Sequence, residues 1–464
     1  MATKQTTVFI PVESQVRELD AKLFLACVAA DHGYAAVLGS RGPLNHAMAK
    51  LPRGVFLAKG MRSIARRMFS ILRGLGHQVV AWDEEALVRF PREDYYRRRL
   101  ADESIALVSR IFAWGEDDAK VLREFPGIGD TPVDVTGNPR VDLLRPDVRG
   151  YFDEEVAEVR RRFGDFILIN TNFGFVNAFA TSLNLLQPSP ESGGEVVLGE
   201  NTRDMDPEFA RGLAEHKAEL FGCFRTLVPA IAAAFPEHSI VVRPHPSEDH
   251  AAWKEAAGDY ANVRVVSEKS VIPWLIASSV LIHNGCTTAV EAAVLGRPAI
   301  AFRPVSHKGF DFEFPDSLSE EAYSVEELIS AVRDVVGGDP RSQERAAIRS
   351  EILQHHVASL EGPLAADRMI EALDAGGFAD RKFRSDSLYQ YWKARRRLHN
   401  RIVAKREAAA IPGNRNSSAY HDHRFPGTSI EDLHARIRRF GDQLDRFHDL
   451  KVEGIADHIF RITR

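Results

Sequence analysis

The chain has 464 residues, 44% apolar and 27% charged, with 32 glycines and 23 prolines. This composition excludes a disordered, collagen-like or coiled-coil protein, and the length suits two or three domains. Sixty lysines and arginines against 65 aspartates and glutamates give a formal charge of −5, which argues against a nucleic-acid binder. Cys27, Cys223 and Cys286 stand far apart, so neither a disulfide framework nor a cysteine-rich zinc site is expected. No signal-peptide pattern precedes the strand-like Thr7-Val8-Phe9-Ile10, and no apolar run reaches the ~18 residues of a membrane span. A cytoplasmic protein is expected, with any membrane contact peripheral.

The predicted elements alternate as in a doubly wound parallel sheet. Strand Val8 to Pro11 is followed by a helical stretch Asp20 to Asp31, then Ala35 to Leu38, helix Ser63 to Leu75 and strand Gln78 to Trp82. Arg110 to Trp114 and Val133 to Gly137 complete a first α/β domain over 1–146. After a charged helix Asp153 to Phe163, the apolar run Phe166 to Ile169 opens a second such domain over 147–340. A loop rich in Gly, Ser, Asn and Pro spans Asn184 to Pro207. Helix Pro207 to Phe235, strands Ser239 to Arg243 and Val263 to Val266, helix Ile272 to Ser278, strand Val280 to His283, a helix from Thr287 and strand Ala299 to Phe302 follow. Residues 341–464 read as a helical extension packing back on the first domain. Ten Lys or Arg residues accumulate between Arg381 and Arg406, where Asp386 is the only carboxylate. Such a basic helix is a solvated face or a dock for an anionic membrane surface.

Two such sheets leave a cleft at the carboxyl ends of their strands, so chemistry is expected on the loops that follow strands. Val241-Val242-Arg243 stops at Pro244, and Pro246 follows His245. Two prolines cannot continue a strand and so aim His245 out of the sheet edge, where an imidazole can meet a phosphate. The alternative is a strand-ending turn with an incidental histidine. Strand Val280 to His283 passes through Asn284-Gly285-Cys286 into a helix beginning at Thr287 and Thr288. Free amides and two hydroxyls there suit an anion, although Thr is also a common structural N-cap. Glu291 lies one turn further on, and Glu268 and Ser270 follow a strand. These three are candidates for ribose or plain surface residues. Asp83-Glu84-Glu85 closes strand Gln78 to Trp82, and crowded carboxylates raise at least one pKa, as a general base requires. An acidic helix start is the alternative there.

Weaker signals are Asp204-Met205-Asp206, whose spacing suits a divalent metal but whose Asp206-Pro207 reads as a helix cap. His283 with Cys286 suggests a nucleophile elbow without a third partner. His421 and His423 lie in a polar loop and read as incidental. Neither Gly-x-Gly-x-x-Gly nor a Walker loop occurs.

Taken with Phe9-Ile10-Pro11-Val12-Glu13, Arg17-Glu18-Leu19, Thr136-Gly137-Asn138-Pro139-Arg140, Ile169-Asn170-Thr171-Asn172-Phe173 and His423-Arg424-Phe425-Pro426, these motifs resemble bacterial surface-carbohydrate biosynthesis proteins. The resemblance, over nearly the whole chain, is to glycosyltransferases of the GT-B architecture akin to bacterial sialyltransferases and Kdo transferases. It implies two Rossmann-like domains facing a cleft, the first on the acceptor side and the second binding the nucleotide sugar. It also implies that His245-Pro246 and Thr287-Thr288 hold the phosphate of a CMP-activated sugar acid, with Arg243, Glu268, Ser270 and Glu291 on the nucleotide side. The family's acidic motif ends in Gly where Ala86 stands here, which leaves the base open between Glu84, preferred, and Glu85. Asp83, Asn170 and Asn172 would face the sugar or acceptor.

The mechanism so implied is metal-independent and needs no cofactor. The carboxylate takes the acceptor's proton and His245 stabilises the departing CMP, whose single phosphate a helix start, hydroxyls and one histidine can hold. The acceptor would be a growing surface glycan, such as lipopolysaccharide or capsule, carried on a lipid at the inner face of the membrane. The competing readings are a UDP-sugar 2-epimerase or hydrolase, a CDP-glycerol-type transferase, and a catalytically silent nucleotide-sugar binder.

Overall fold

In the computed structural model, which describes residues 6–188, 196–338, 341–411 and 414–464, two sheets built on parallel strands form, and one large apolar cluster draws on strands of both. The Asn184–Pro207 loop therefore falls partly outside the described residues, at 189–195, and so does the opening Met1 to Lys4.

The first sheet takes β1 (Thr7–Val12), β2 (Ala35–Ser40), β3 (Gly54–Ala58), β4 (Gln78–Ala81), β5 (Arg110–Ala113) and β6 (Val133–Val135), all parallel. β1, at its centre, is buried along its whole length, as its continuous apolar run requires. The helix Gln15–Asp31 behind it is buried on almost every face, because Phe24 packs on Phe440 and Phe447 from the far end of the chain.

The second sheet begins at β7 (Phe166–Asn170). A small hairpin, β8 (Leu186–Pro188) with β9 (Val196–Leu198), precedes the long helix Pro207–Ala234. β10 (Ser239–Arg243), β11 (Val263–Val265), β12 (Val280–His283), β13 (Ala299–Phe302) and β14 (Glu320–Ala322) then give the order β11-β10-β7-β12-β13-β14.

The tail is helical through Ile430–Leu444, with an ending that differs from expectation. β15 (Lys451–Ala456) and β16 (Ile459–Thr463) form a hairpin whose second strand pairs antiparallel with β2. The first sheet so becomes eight-stranded, in the order β15-β16-β2-β1-β3-β4-β5-β6. Gly39 makes the join possible, since a Cβ there would lie 2.6 Å from the His458 carbonyl oxygen. β15 and β16 are short and carry charges on their open face, so they show no strand pattern apart from their partner.

Candidate active site

The carboxyl ends of both sheets face one cavity of about 410 Å³. The loops after β1, β3, β4 and β6 bring Glu13, Arg17, Lys59, Glu84, Glu85 and Arg140 from one side. The ends of β7, β10 and β12 and the segments after them bring Asn170, Asn172, Arg243, His245, Pro246, Thr287, Thr288 and Glu291 from the other.

Arg17, in the first turn of the helix after β1, joins the two sides. Its guanidinium makes two 3.0 Å contacts with the Glu85 carboxylate, stands 3.3 Å from His245 Nε2, and donates to Thr287 Oγ1 at 3.4 Å. Burial alone would raise the Glu85 carboxyl, but Arg17, with Arg99 and Arg140 behind it, brings its pKa to about 2. Sequence reading did not single out Arg17 as a site residue. Its signal was an arginine just past the first strand, opening a helix otherwise buried.

His245 is fixed from behind. Ser247 holds Nδ1 through its backbone N–H at 3.2 Å and its hydroxyl at 2.7 Å. The Ser247 N–H is directed at Nδ1 and the Arg17 guanidinium at Nε2, so whichever nitrogen carries the proton of the neutral ring faces a donor. Burial, then Arg17 and Arg424, lower the imidazole pKa to about 3, so the ring is neutral. Glu248, wholly buried, accepts from the His245 N–H at 3.0 Å, Thr171 Oγ1 at 2.8 Å and Trp253 Nε1 at 3.0 Å, locking the loop. His423 is not incidental: it sits in the helix Ser418–Arg424, its ring stacks on Phe179, and its Nε2 donates to the Pro246 carbonyl at 2.7 Å. The same helix brings Tyr420 and Arg424 to the cavity wall.

The two acidic candidates have different settings. Glu84 has a side chain 3% exposed; it accepts from Trp82 Nε1 at 2.9 Å and lies 4.0 Å from Lys22 and 3.9 Å from Arg140. The Glu85 side chain is 35% exposed and reaches open cavity. Glu291 pairs with Arg140 across the cleft, which ties the two sheets together. Beside Glu84 runs a chain of charges, buried at Lys22 and Glu18 and partly exposed at Lys59 and Glu13, in which Lys22 and Lys59 both hold Glu18, and Lys59 also holds Glu13 at 2.7 Å.

Cys286 occupies the N-cap of the helix Thr287–Val294, so Thr287 and Thr288 are its first helical residues and neither is the cap. The Thr288 hydroxyl lies 2.6 Å from the Cys286 sulfur. Arg243 bonds the Glu268 and Lys269 carbonyls at 2.9 and 3.2 Å and stacks over Trp274, and burial lowers its pKa to about 9. Asn170 is buried, and its Oδ1 has no partner among the described residues.

Asp83, Glu268 and Ser270 do not line the cavity. Asp83 is buried beneath it, held by Tyr95 and Arg99. The Glu268 carboxylate turns outward to Arg162 at 2.7 Å, and Ser270 Oγ accepts the Ile272 N–H at 3.4 Å.

The weaker motifs resolve into structure. Asp206 caps the helix Pro207–Ala234, while Asp204 binds Arg62 and Ser63 of the opposite domain. His283 is wholly buried, with Nε2 against Ser319 and Nδ1 accepting the Gly285 N–H, and burial pushes the Cys286 thiol up to about 11. That pair is therefore no nucleophile elbow. Among the described residues no three His, Cys, Asp or Glu side chains converge as a metal site.

Neither a protein-family model nor a curated protein matches the sequence. Solved structures do resemble the fold. The wall teichoic acid polymerase TagF, in a structure soaked with CDPG, superimposes with a TM-score of 0.50 at 10% identity, over 80% of this chain and 88% of that one. The UDP-GlcNAc 2-epimerase of Neisseria meningitidis bound to UDP-GlcNAc gives 0.47 at 12% identity, over 80% and 99%. The corresponding epimerase of Methanocaldococcus jannaschii gives 0.46 at 13%, over 80% and 100%. The fold is thus GT-B: two Rossmann-like domains facing a central cleft, with a largely helical tail.

Proposed function

We propose that this chain is a metal-independent transferase that takes a group from a nucleotide-activated donor bound through its phosphate by Arg17, His245, Thr287 and Thr288. One observation carries the reading. The Arg17 guanidinium and His245 Nε2 meet at 3.3 Å on the cavity wall, where the guanidinium and a ring proton on Nε2 would both donate into the cavity. An anionic oxygen satisfies both at once.

Within this reading Glu85 is the base, since of the two cavity carboxylates its side chain is the more open, while Glu84 is enclosed by Lys22 and Arg140. Arg17 couples the two halves of the reaction. A donor phosphate competes with Glu85 for the guanidinium, and the carboxylate it releases regains the basicity that Arg17 suppresses. The acceptor hydroxyl gives its proton to Glu85 and its oxygen bonds the anomeric carbon. The carbon–oxygen bond to phosphate breaks, its electron pair leaving with the nucleotide under His245 and Arg17.

The donor we infer is a CMP-activated sugar acid, and the acceptor a surface glycan. Arg98 supports the acid. It lines the cavity, its Nη1 is buried without a partner among the described residues, and its neighbours Arg62 and Arg99 already hold Asp204 and Asp83. Stacked over Phe90 at 4.1 Å, with burial lowering its pKa to about 9, it suits a donor carboxylate. Glu268 and Ser270 would meet the ribose only if their loop turned inward. A CDP-linked alditol is the second reading, favoured by the fold shared with TagF. CMP released from CMP-N-acetylneuraminate, CMP-Kdo and CDP-glycerol, measured with EDTA or magnesium present, tests the proposal. Turnover of the CMP acids in EDTA, lost in Glu85→Gln, supports it; turnover of CDP-glycerol alone replaces the donor.

A further inference from the structure

The basic run of the tail continues from an irregular stretch into the helix Leu388–Ala409, about 33 Å long at 1.5 Å per residue. One side of it is an ordinary packing face: Ala394 and Leu398 are buried against the helix Arg66–Leu75, where Gly74 lets Ala394 approach. The other side is unusual. Leu388, Tyr389 and Trp392 are 80, 69 and 61% exposed, although large apolar groups seldom cluster in water. Cations surround them: Lys393 lies over the Tyr389 ring at 5.4 Å and Arg395 over Trp392 at 5.3 Å, and Arg381, Lys382, Arg384, Arg396 and Arg397 are exposed nearby in sequence.

The structure adds cations that the linear run did not reveal. Arg41, Arg67 and Arg415 come from three other segments to the far half of this helix, Arg415 there paired with Glu200 at 3.1 Å. There burial, then Arg401, Arg41 and Arg415, lower the Lys405 pKa to about 8. Arg41 pairs with Glu13, a cavity residue, at 3.2 Å. The helix thus runs from an exposed aromatic end to a cationic cluster at the cavity rim.

We propose that this face docks on the surface of an anionic phospholipid bilayer, with Leu388, Tyr389 and Trp392 entering the headgroup region and the flanking lysines and arginines meeting lipid phosphates. Rings at the interface ringed by cations are the side-chain chemistry such a surface selects, and a row of basic residues with only Asp386 and Glu407 as acids over 381–409 matches its charge. No helix among the described residues is long and apolar enough to cross a membrane, so the contact is peripheral. It holds whichever donor the cavity takes, and it sets the cavity mouth beside lipid-borne acceptors.

Trp392 makes the test direct. Of the five tryptophans, Trp82, Trp114, Trp253 and Trp274 are buried, so emission that responds to a surface comes from Trp392. The full chain is mixed with phosphatidylcholine vesicles with and without phosphatidylglycerol, and both emission and co-sedimentation are followed. A blue shift and sedimentation with the phosphatidylglycerol vesicles are expected. Both should weaken at least about tenfold in Leu388→Ser/Trp392→Ser, read by sedimentation, and in Arg395→Gln/Arg396→Gln/Arg397→Gln, read both ways. These positions are exposed, so the variants keep the fold, checked by circular dichroism. No shift and no sedimentation, equal binding to neutral vesicles, or undiminished binding by both variants overturns the proposal. A face used instead for an acidic protein would give the first of these results.

Discussion

Arg17 Nη1 lies 3.3 Å from His245 Nε2, across the cleft between two sheets that share no strand. The same guanidinium holds Glu85 in its own domain and reaches Thr287 in the other. A single planar fork therefore connects the Glu85 carboxylate, the imidazole and the start of a helix, a geometry that one lysine ammonium cannot reproduce. Arg17→Lys is expected to fold normally and to lose roughly tenfold to a hundredfold in nucleotide affinity, the range of one charge-assisted contact. Calorimetric titration with CMP checks this, and unchanged affinity removes Arg17 from the phosphate site.

His245 gives a pH signature. Its pKa lies near 3 in the free protein because it is buried beside Arg17 and Arg424. A phosphate against Nε2 raises it toward its ordinary value, so as pH falls below 6 the proton uptake on CMP binding should be greater in the wild type than in His245→Gln. Calorimetry in buffers of different ionisation enthalpy measures the uptake, and equal uptake in the two contradicts the assigned contact.

The same shifts bear on stability. The folded pKa of His245 lies below its ordinary 6.5, and that of Glu85 below 4.5. The unfolded chain binds those protons first, so their contribution is present above these values. It is lost as pH falls toward about 3 and about 2 respectively. Asp118, Asp142 and Asp316, each raised to about 7 chiefly by burial, act oppositely: their contribution is lost as pH rises from 3.8 toward 7. His245→Gln should therefore flatten the acid limb of a melting-temperature profile relative to the wild type. Parallel profiles would contradict a buried neutral imidazole.

Arg140 and Glu291 have side chains 7 and 10% exposed, with Glu84 close behind. Removing one partner leaves a buried charge uncompensated, so Glu291→Ala should cost about 3 kcal/mol or more of stability. Arg140→Met/Glu291→Leu should recover much of it. Urea unfolding of both variants reads the difference, and an equal loss in both would mean the pair acts otherwise than by charge compensation.

Arg98 separates recognition of an acid from recognition of a nucleotide. Arg98→Gln should leave CMP affinity within about twofold and weaken CMP-N-acetylneuraminate by about tenfold, the scale of one charge-assisted bond. Equal losses for both ligands would place Arg98 with the fold.

Much of this architecture was legible in the residues themselves. The two alternating β/α runs follow from continuous apolar strands bounded by turns, and the Pro-His-Pro loop and the Thr-Thr helix start do line the cavity. What escaped is carried by partners distant in sequence. Arg17 meets Glu85, His245 and Thr287 at separations of 68, 228 and 270 residues, which no local pattern encodes. β16 becomes a strand because β2 offers an open edge, and His423 acquires its place from the Pro246 carbonyl. Glu268 shows the reverse: its position after a strand is as read, but its side chain answers to Arg162 on the outer surface.

The most direct measurement is calorimetric titration of the protein with CMP, CDP, UMP and UDP, in EDTA and in magnesium. Selective CMP binding that magnesium does not change, and that Arg17→Lys and His245→Gln both weaken, is the expected result. Preference for UDP, or binding that requires magnesium, would contradict a phosphate held by Arg17 and His245 in a CMP-dependent transferase.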